Sequence, residues 1–385
     1  MQIAIIDADL IGRNKHRFPN LVCMKLSSYY KQLGNDVVLK LDYEDLTDYD
    51  KVFISKVFTD TEIPEEPKDK TNKNCDNIAE WYANNTFLQQ PNIEYGGTGF
   101  YYNKAPKLPP EIEHCMPDYH LYDEWVNKKI SNGGKRIDYK YYLDYSIGFV
   151  TRGCFRGCEF CVNKFCKQVV KHSPLDEFID LSRKKICLLD DNFFGCPQWK
   201  EMLLELQATN KPFQFKQGLD ERILTDEKCK LLFNSKYDGD FIFAFDNVAD
   251  YELIERKLQL LRKYTDKIPK FYTFCGFDRN DKWDDEFWKQ DLFDLWKRIE
   301  LLMKYHCLPY IMRFERHKES PYAGCYTDIA AWCNQPSFFK KKSFREYVYL
   351  LDQRYQKDCV ALVRLKQIEN EIPELAERYF DIKFN

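Results

Sequence analysis

Three cysteines lie close together in the chain with the spacing Cys-x3-Cys-x2-Cys. They are Cys154, Cys158 and Cys161, within the segment TRGCFRGCEFC. Thiolates at this spacing can wrap one corner of an iron–sulfur cube, whereas clusters that are fully ligated by protein use four cysteines. Three ligands leave one iron open, and an open iron can bind a small molecule. The spacing therefore predicts a [4Fe–4S] cluster with one open coordination site.

The residues around these cysteines favour a metal site of this kind over two alternatives. Arg152 and Arg156 would offset the negative charge of a thiolate-ligated cluster, and the interleaved glycines let the loop curl. A zinc site would normally show paired Cys-x2-Cys knuckles or added histidines. The nearest further ligands are only Cys166 and His172. A chance group of buried cysteines would not alternate with glycine and arginine.

The elements that position this loop alternate between strand and helix. Apolar runs predict strands at 2–7, 36–41 and 51–58, with a helical pattern over 19–33, which is typical of a doubly wound α/β unit. Further along, a second alternating series predicts a parallel barrel or partial barrel, in which a helix at 174–182 follows the first strand and an amphipathic helix at 285–305 follows the fifth. Its six strands are predicted at 146–151, 185–190, 213–217, 240–245, 270–275 and 308–314.

These patterns predict an α/β fold built from four segments. An N-terminal Rossmann-like domain with a connecting segment is followed by a linker, a partial barrel and a mainly helical C-terminal segment. The boundaries expected from the sequence are 1–118, 119–144, 145–318 and 319–385.

The cysteine spacing, with Phe160 before the last cysteine, resembles that of the radical S-adenosylmethionine (SAM) superfamily. The resemblance implies a partial (βα)6 barrel, with the cluster at the carboxyl ends of its strands. It also implies that the open iron binds SAM, which is cleaved reductively to a 5′-deoxyadenosyl radical that abstracts hydrogen from the substrate. The motifs DADLIG, GGTGF and LPPEIEH resemble the branch with an N-terminal cobalamin-binding-like domain, and the likeness covers roughly residues 1–345.

Polar motifs at the ends of successive barrel strands imply further contacts to SAM. Those after the second strand would meet the methionine amino group, and an arginine after the third would pair with the methionine carboxylate. Those after the fourth and fifth strands would meet the ribose and the adenine. Each of these residues can also be interpreted as a capping or turn residue. The expected cofactor-binding residues are Phe160, Asp190, Asp191, Asn192, Gln217, Arg222, Asp246, Cys275 and Gly276.

Cobalamin-binding domains usually carry a cobalt-ligating histidine in an Asp-x-His-x-x-Gly loop. Here the loop runs from Asp7 through Asp9 to Gly12 without histidine, and His16 lies four residues further on. Some members of the branch bind cobalamin without this ligand, and others lack cobalamin. We expect this chain to function without it. We also expect no second cluster, although Cys325 and Cys333 could converge with Cys307 or Cys275.

The expected function is that of a radical SAM enzyme acting on an unidentified small-molecule or peptide substrate, with a flavodoxin or ferredoxin as reductant. The alternatives are a cobalamin-dependent radical SAM methyltransferase, a tRNA methylthiotransferase-like enzyme and a non-catalytic iron–sulfur sensor. The interspersed charges, with a net charge of −3, do not favour nucleic acid. There is no apolar run of about 18 residues and no secretory signal, so we expect a cytoplasmic protein without a membrane span.

Overall fold

The computed structural model describes residues 1–70, 73–74, 77–355 and 359–384. The chain divides into two compact units. The first comprises Met1–Asp190 and Ala208–Phe213, and the second comprises Asp191–Gln207 and Gln214–Asn385. This division does not test the four sequence-derived segments, whose boundaries stay predictions.

The first unit begins with a four-stranded parallel sheet of order β2-β1-β3-β4. Residues Ile3 to Ile6 of β1 are fully buried, as expected for a parallel sheet that is covered on both faces. The sheet confirms the Rossmann-like prediction, although its fourth strand was not predicted. The strands are β1 (Gln2–Asp7), β2 (Asp36–Lys40), β3 (Lys51–Ser55) and β4 (Ile93–Gly96).

The helices of the first unit are short except for α2. Asn20 caps α2, because its side-chain oxygen accepts from the backbone N–H groups of Val22 and Cys23. The buried face of α2 packs Cys23 and Met24 into a core with the apolar residues of β1. The helices are α1 (Ala8–Gly12), α2 (Leu21–Gln32), α3 (Ile78–Ala83), α4 (Thr98–Tyr101), α5 (Pro110–Glu113), α6 (Asp123–Ser131) and α7 (Lys140–Leu143).

Four more strands complete the first unit: β5 (Tyr145–Gly148), β6 (Thr151–Arg152), β7 (Val170–Lys171) and β8 (Lys185–Leu188). β5 pairs in parallel with β8, and β6 pairs antiparallel with β7. β8 also pairs with the start of β9 (Phe213–Phe215), where the Ile186 N–H donates to the Pro212 carbonyl.

The helix predicted at 174–182 is wrong. Only a single 3-10 turn forms, at Leu175–Glu177. The Asp180 carboxylate accepts from both the backbone N–H and the hydroxyl of Ser182, and the Ser146 hydroxyl accepts from the Asp180 N–H. These bonds hold the segment in a turn against β5, because short polar side chains compete with the helical hydrogen bonds.

The second unit continues the parallel series with β10 (Ile242–Ala244), β11 (Lys270–Cys275) and β12 (Leu308–Arg313), which form one sheet in that order. Leu219, which follows β9, forms a parallel bridge with Phe243 of β10. The connecting helices are α8 (Trp199–Ala208), α9 (Asp226–Phe233), α10 (Tyr251–Arg262) and α11 (Asp285–Lys304). Along the chain, β5, β8 and β9 to β12 lie where the six barrel strands were predicted. Pairing is parallel between β5 and β8 in the first unit and among β10, β11 and β12 in the second, which confirms the predicted fold class.

The C-terminal segment is mainly helical, as predicted. Its helices share one core with α11, in which Trp288 and Trp296 of α11 and Trp332 of α12 are all buried. The helices are α12 (Ala323–Cys333), α13 (Pro336–Phe339), α14 (Phe344–Tyr355), α15 (Val360–Glu371) and α16 (Pro373–Tyr379).

None of the helices in the described part of the chain combines the length and the apolar character needed to cross a bilayer.

Candidate functional site

The three motif cysteines lie in a loop that is closed at its base by the β6–β7 pair, where Thr151 faces Lys171 and Arg152 faces Val170. Gly153 starts this loop with a φ of +94°. A Cβ atom at this position would lie 2.5 Å from the Gln168 carbonyl oxygen. The base of the cysteine loop therefore requires glycine, both for its conformation and for its close packing.

Exposure separates the cysteines of this loop from all others that the structure describes. Cys154, Cys158, Cys161 and Cys166 are partly exposed, and the remaining described cysteines are buried. Burial raises the pKa of the Cys275, Cys307, Cys325 and Cys333 thiols, which favours the protonated form that is neither nucleophile nor ligand. The accessible thiols of the described chain are thus concentrated in one loop.

Local hydrogen bonds shape the loop around its sulfur atoms. The Cys161 N–H donates to the Cys158 carbonyl at 3.0 Å, and the Asn163 N–H lies 3.4 Å from the Cys161 sulfur. Hydrogen bonds of this kind to a cluster sulfur tune its charge and potential. Phe160 is half-buried, and its carbonyl accepts from the Tyr102 hydroxyl at 2.7 Å.

Asp190 fixes the chain just before the loop. Its fully buried carboxylate accepts from the Thr151 N–H and the Thr151 hydroxyl, both at 2.6 Å, and from the Val150 N–H at 3.3 Å. The structure therefore gives Asp190 a positioning role at the loop base. The predicted contact between Asp190 and the methionine amino group stays a prediction.

The donor chemistry of the loop fits a thiolate-ligated cluster. Three accessible thiols lie at the required spacing on one glycine-closed loop. Among the residues that the structure describes, no group of three or more His, Cys, Asp or Glu side chains is already gathered as a metal site. The assignment of Cys154, Cys158 and Cys161 as ligands therefore rests on residue type, spacing and exposure.

In the second unit, one carboxylate brings together two of the predicted site residues. Asn192 donates to Asp220 at 3.2 Å, and Arg222 donates to the same carboxylate at 2.8 Å. Arg222 also donates to Asp250 at 3.0 Å. The arginine that was expected to bind the methionine carboxylate thus already has two acidic partners. Neither Asp220 nor Asp250 was among the predicted site residues, although Asp220 stands two residues before Arg222 in the motif QGLDERIL.

Glu221, in the same motif, was also missed. Its side chain is 2% exposed, and Oε2 accepts from the Ala244 N–H at 3.1 Å. Oε1 is buried and receives no hydrogen bond from the described residues. Burial, reinforced by neighbouring Asp220, raises the pKa of Glu221 to about 8. No local signal in the sequence distinguishes this buried glutamate from an exposed one.

A second group forms at the carboxyl ends of β10 and β11. Asp246 accepts from the Phe274 N–H at 3.0 Å, and the Gly276 N–H donates to Asp291 at 2.8 Å. Cys275 between them is 2% exposed. Of the other predicted residues, Asp191 is half-buried, and Gln217 is exposed and lies outside both groups.

The first unit also has a cleft of about 590 Å³ at the carboxyl edge of its four-stranded sheet. The segment after β1, with Arg13 and His16, and the segment after β3, with Phe58 and Thr61, line it. The strand order reverses between β1 and β3, and such a switch point is where open α/β sheets bind ligands.

Asp9 occupies the position where a cobalamin-binding loop has its histidine. It is buried, and its carboxylate accepts from the Val57 N–H at 2.7 Å and from the Thr61 hydroxyl at 2.5 Å. These bonds anchor one wall of the cleft. A carboxylate in this role does not fit histidine-ligated cobalamin. The imidazole that does line the cleft belongs to His16, whose pKa is lowered by burial.

No protein-family model matches the chain. Among solved structures, the chain is similar to two structures of TsrM, a radical SAM methyltransferase from Kitasatospora setae. One has cobalamin and a [4Fe–4S] cluster bound, with 11% identity over 81% of this chain and 74% of that chain. The other has tryptophan and a SAM analogue bound, with 12% identity over 80% and 72%. Both TM-scores are 0.49.

A likeness at this level of identity and TM-score does not assign a function to this chain. The two TsrM structures give no support to the expectation that cobalamin is absent, and that expectation stays a prediction.

Proposed function

We propose that the chain is a radical SAM enzyme whose [4Fe–4S] cluster is held by Cys154, Cys158 and Cys161. The observation that carries this proposal is the confinement of accessible cysteines, among those described, to one loop with the Cys-x3-Cys-x2-Cys spacing. When bound, the cluster supplies an electron and an open iron for the reductive cleavage of SAM.

The residues of the loop itself orient and stabilise the ligands. Asp190 fixes Thr151, and Gly153 closes the base of the loop against Gln168. The Asn163 N–H stabilises negative charge on the Cys161 sulfur. Together these contacts hold the three thiolates on a single short segment.

The same proposal includes a class of substrate, an electron donor and a cellular compartment. We assign a small molecule or peptide as substrate and a flavodoxin or ferredoxin as electron donor. The fourteen described cysteines form no disulfide bonds, which fits the reducing cytoplasm.

Anaerobic reconstitution with iron and sulfide tests the ligand assignment. We expect about four irons and four sulfides per chain in the wild type. Cys154→Ala, Cys158→Ala and Cys161→Ala should each lose most of this iron. Cys166→Ala is the matched control, because Cys166 is partly exposed in the same loop but lies outside the motif, and it should keep its iron.

Equal iron loss from Cys166→Ala would show that the ligand set is wrong. About eight irons per chain would instead show a second cluster, contrary to the single cluster expected.

The alternative function is that of a cobalamin-dependent methyltransferase, which would have to bind cobalamin at the cleft of the first unit. Because Asp9 fills the histidine position and is already engaged, we expect no retention of cobalamin. The purified protein would be incubated anaerobically with hydroxocobalamin, and its absorption spectrum recorded after gel filtration. Stoichiometric retention would support the alternative, and its loss in His16→Ala would identify His16 as the ligand.

A further inference from the structure

Arg298 is a buried arginine that reaches the carboxyl ends of two parallel strands. It lies on α11 and is 2% exposed. Its Nη1 atom donates to three backbone carbonyls, those of Phe245 at 3.1 Å, Asp246 at 3.0 Å and Phe274 at 2.8 Å. The two N–H groups of one guanidinium nitrogen are therefore shared among three carbonyls where β10 and β11 end, which would otherwise need other buried donors.

These carbonyls need a donor because the pairing of β10 with β11 stops at the last residue of β10, whereas β11 continues for three more residues. The last Cα partners are Ala244 and Tyr272, followed by a hydrogen bond from the Phe245 N–H to the Tyr272 carbonyl. Beyond this point the Phe274 N–H donates to the Asp246 carboxylate. Side chains thus replace the backbone ladder at the edge of the sheet.

Two carboxylates, those of Asp246 and Asp291, interact electrostatically with the charge of Arg298. Burial raises the pKa of Asp246 and of Asp291, and Arg298 opposes the rise in both. Asp291 accepts from the Gly276 N–H at 2.8 Å and from the Tyr326 hydroxyl at 2.7 Å. The arginine and its two carboxylates therefore fix the turn after β10 and the turn after β11 together.

The carboxyl ends of parallel strands are the edge at which α/β enzymes bind their ligands. We propose that Arg298 is a positioning residue for bound SAM, acting through the turns at Asp246 and at Cys275–Gly276. This inference rests on the proposed function. The guanidinium is covered by the strand ends, so it orders the turns that meet the cofactor.

Arg262 offers a matched control in the same unit. It donates to the carbonyls of Thr265 and Lys267 at 2.9 and 2.8 Å, and to that of Tyr305 at 2.9 Å. These carbonyls precede β11 and β12, at the amino ends of the strands. Arg262 therefore caps backbone carbonyls as Arg298 does, but at the amino ends of the strands. At that edge we expect the arginine to affect stability and not ligand binding.

The test compares Arg298→Lys and Arg298→Met with Arg262→Lys and Arg262→Met in the full-length, cluster-loaded protein. Equilibrium dialysis measures the Kd for SAM, and thermal unfolding measures Tm. Both pairs should lower Tm. Only the Arg298 variants should raise the Kd for SAM, by about tenfold or more, because small displacements of binding groups have large effects. Iron content should stay at the wild-type value.

If Arg298→Met does not fold, the two lysine variants carry the comparison. Wild-type SAM affinity in Arg298→Lys, or equal weakening in Arg262→Lys, overturns the inference and leaves the proposed function intact. If the cluster-loaded wild type binds no SAM at all, the proposed function and this inference fail together.

Discussion

Glu221 is a carboxylic acid enclosed by the second unit, and its burial links stability to pH. Its pKa is raised to about 8, whereas in the unfolded chain it titrates near its ordinary value of 4.5. Between these values the folded protein holds a proton that the unfolded chain releases. The contribution of Glu221 to stability is therefore most favourable below the unfolded pKa and declines as the pH rises through the folded one.

Glu221→Gln should remove this dependence, because glutamine keeps an acceptor for the Ala244 N–H and carries no charge. We expect the fall in Tm between pH 5.5 and pH 8 to be smaller in Glu221→Gln than in the wild type. Circular dichroism melts at both pH values measure it, with exposed Glu252→Gln as the control. Parallel pH profiles for Glu221→Gln and the wild type would rule out this role.

At the scale of elements, local backbone geometry explains why the motif GGTGF contains glycine. After β4, Gly97 adopts a φ of +108°, and the Gly99 N–H donates to the Lys56 carbonyl at 2.9 Å. A Cβ atom on Gly97 would lie 2.2 Å from that same carbonyl oxygen. The motif therefore lets the start of α4 pass directly over the end of β3, where Lys56 is buried.

Gly97→Ala should destabilise the protein far more than Gly34→Ala. Gly34 also has a positive φ, of +77°, but a Cβ atom added there would have nothing within 4 Å among the described residues. We expect about 1 kcal/mol for Gly34→Ala, from the left-handed conformation alone. Gly97→Ala adds a backbone clash and should cost several times as much in the free energy of urea unfolding. Similar values for the two variants would contradict this account of the motif.

Helices with strong local signals were predicted well. The helix expected at 285–305 is observed at Asp285–Lys304, where the Asp284 side chain caps the first turn by accepting from the Phe287 N–H. The helix expected at 174–182 failed, because Asp180 and Ser182 form local hydrogen bonds that a periodicity argument does not weigh.

At the scale of the whole molecule, alternating apolar runs were enough to predict the α/β class and the parallel strands. They did not predict β4 or the β6–β7 pair that closes the cysteine loop, since both are very short. The spacing of Cys154, Cys158 and Cys161 is local and visible in the sequence. The three strand-end carbonyls that Arg298 contacts belong to residues 24 to 53 positions away, so its role became apparent only in the folded chain.

The most direct test of the central claim is the formation of 5′-deoxyadenosine. The reconstituted protein would be incubated anaerobically with SAM and dithionite, and the products quantified by liquid chromatography and mass spectrometry. We predict 5′-deoxyadenosine and methionine from the wild type and from Cys166→Ala, and neither product above background from Cys158→Ala. A cluster-loaded wild type that forms no 5′-deoxyadenosine, or a Cys158→Ala variant that forms as much as the wild type, would contradict the account.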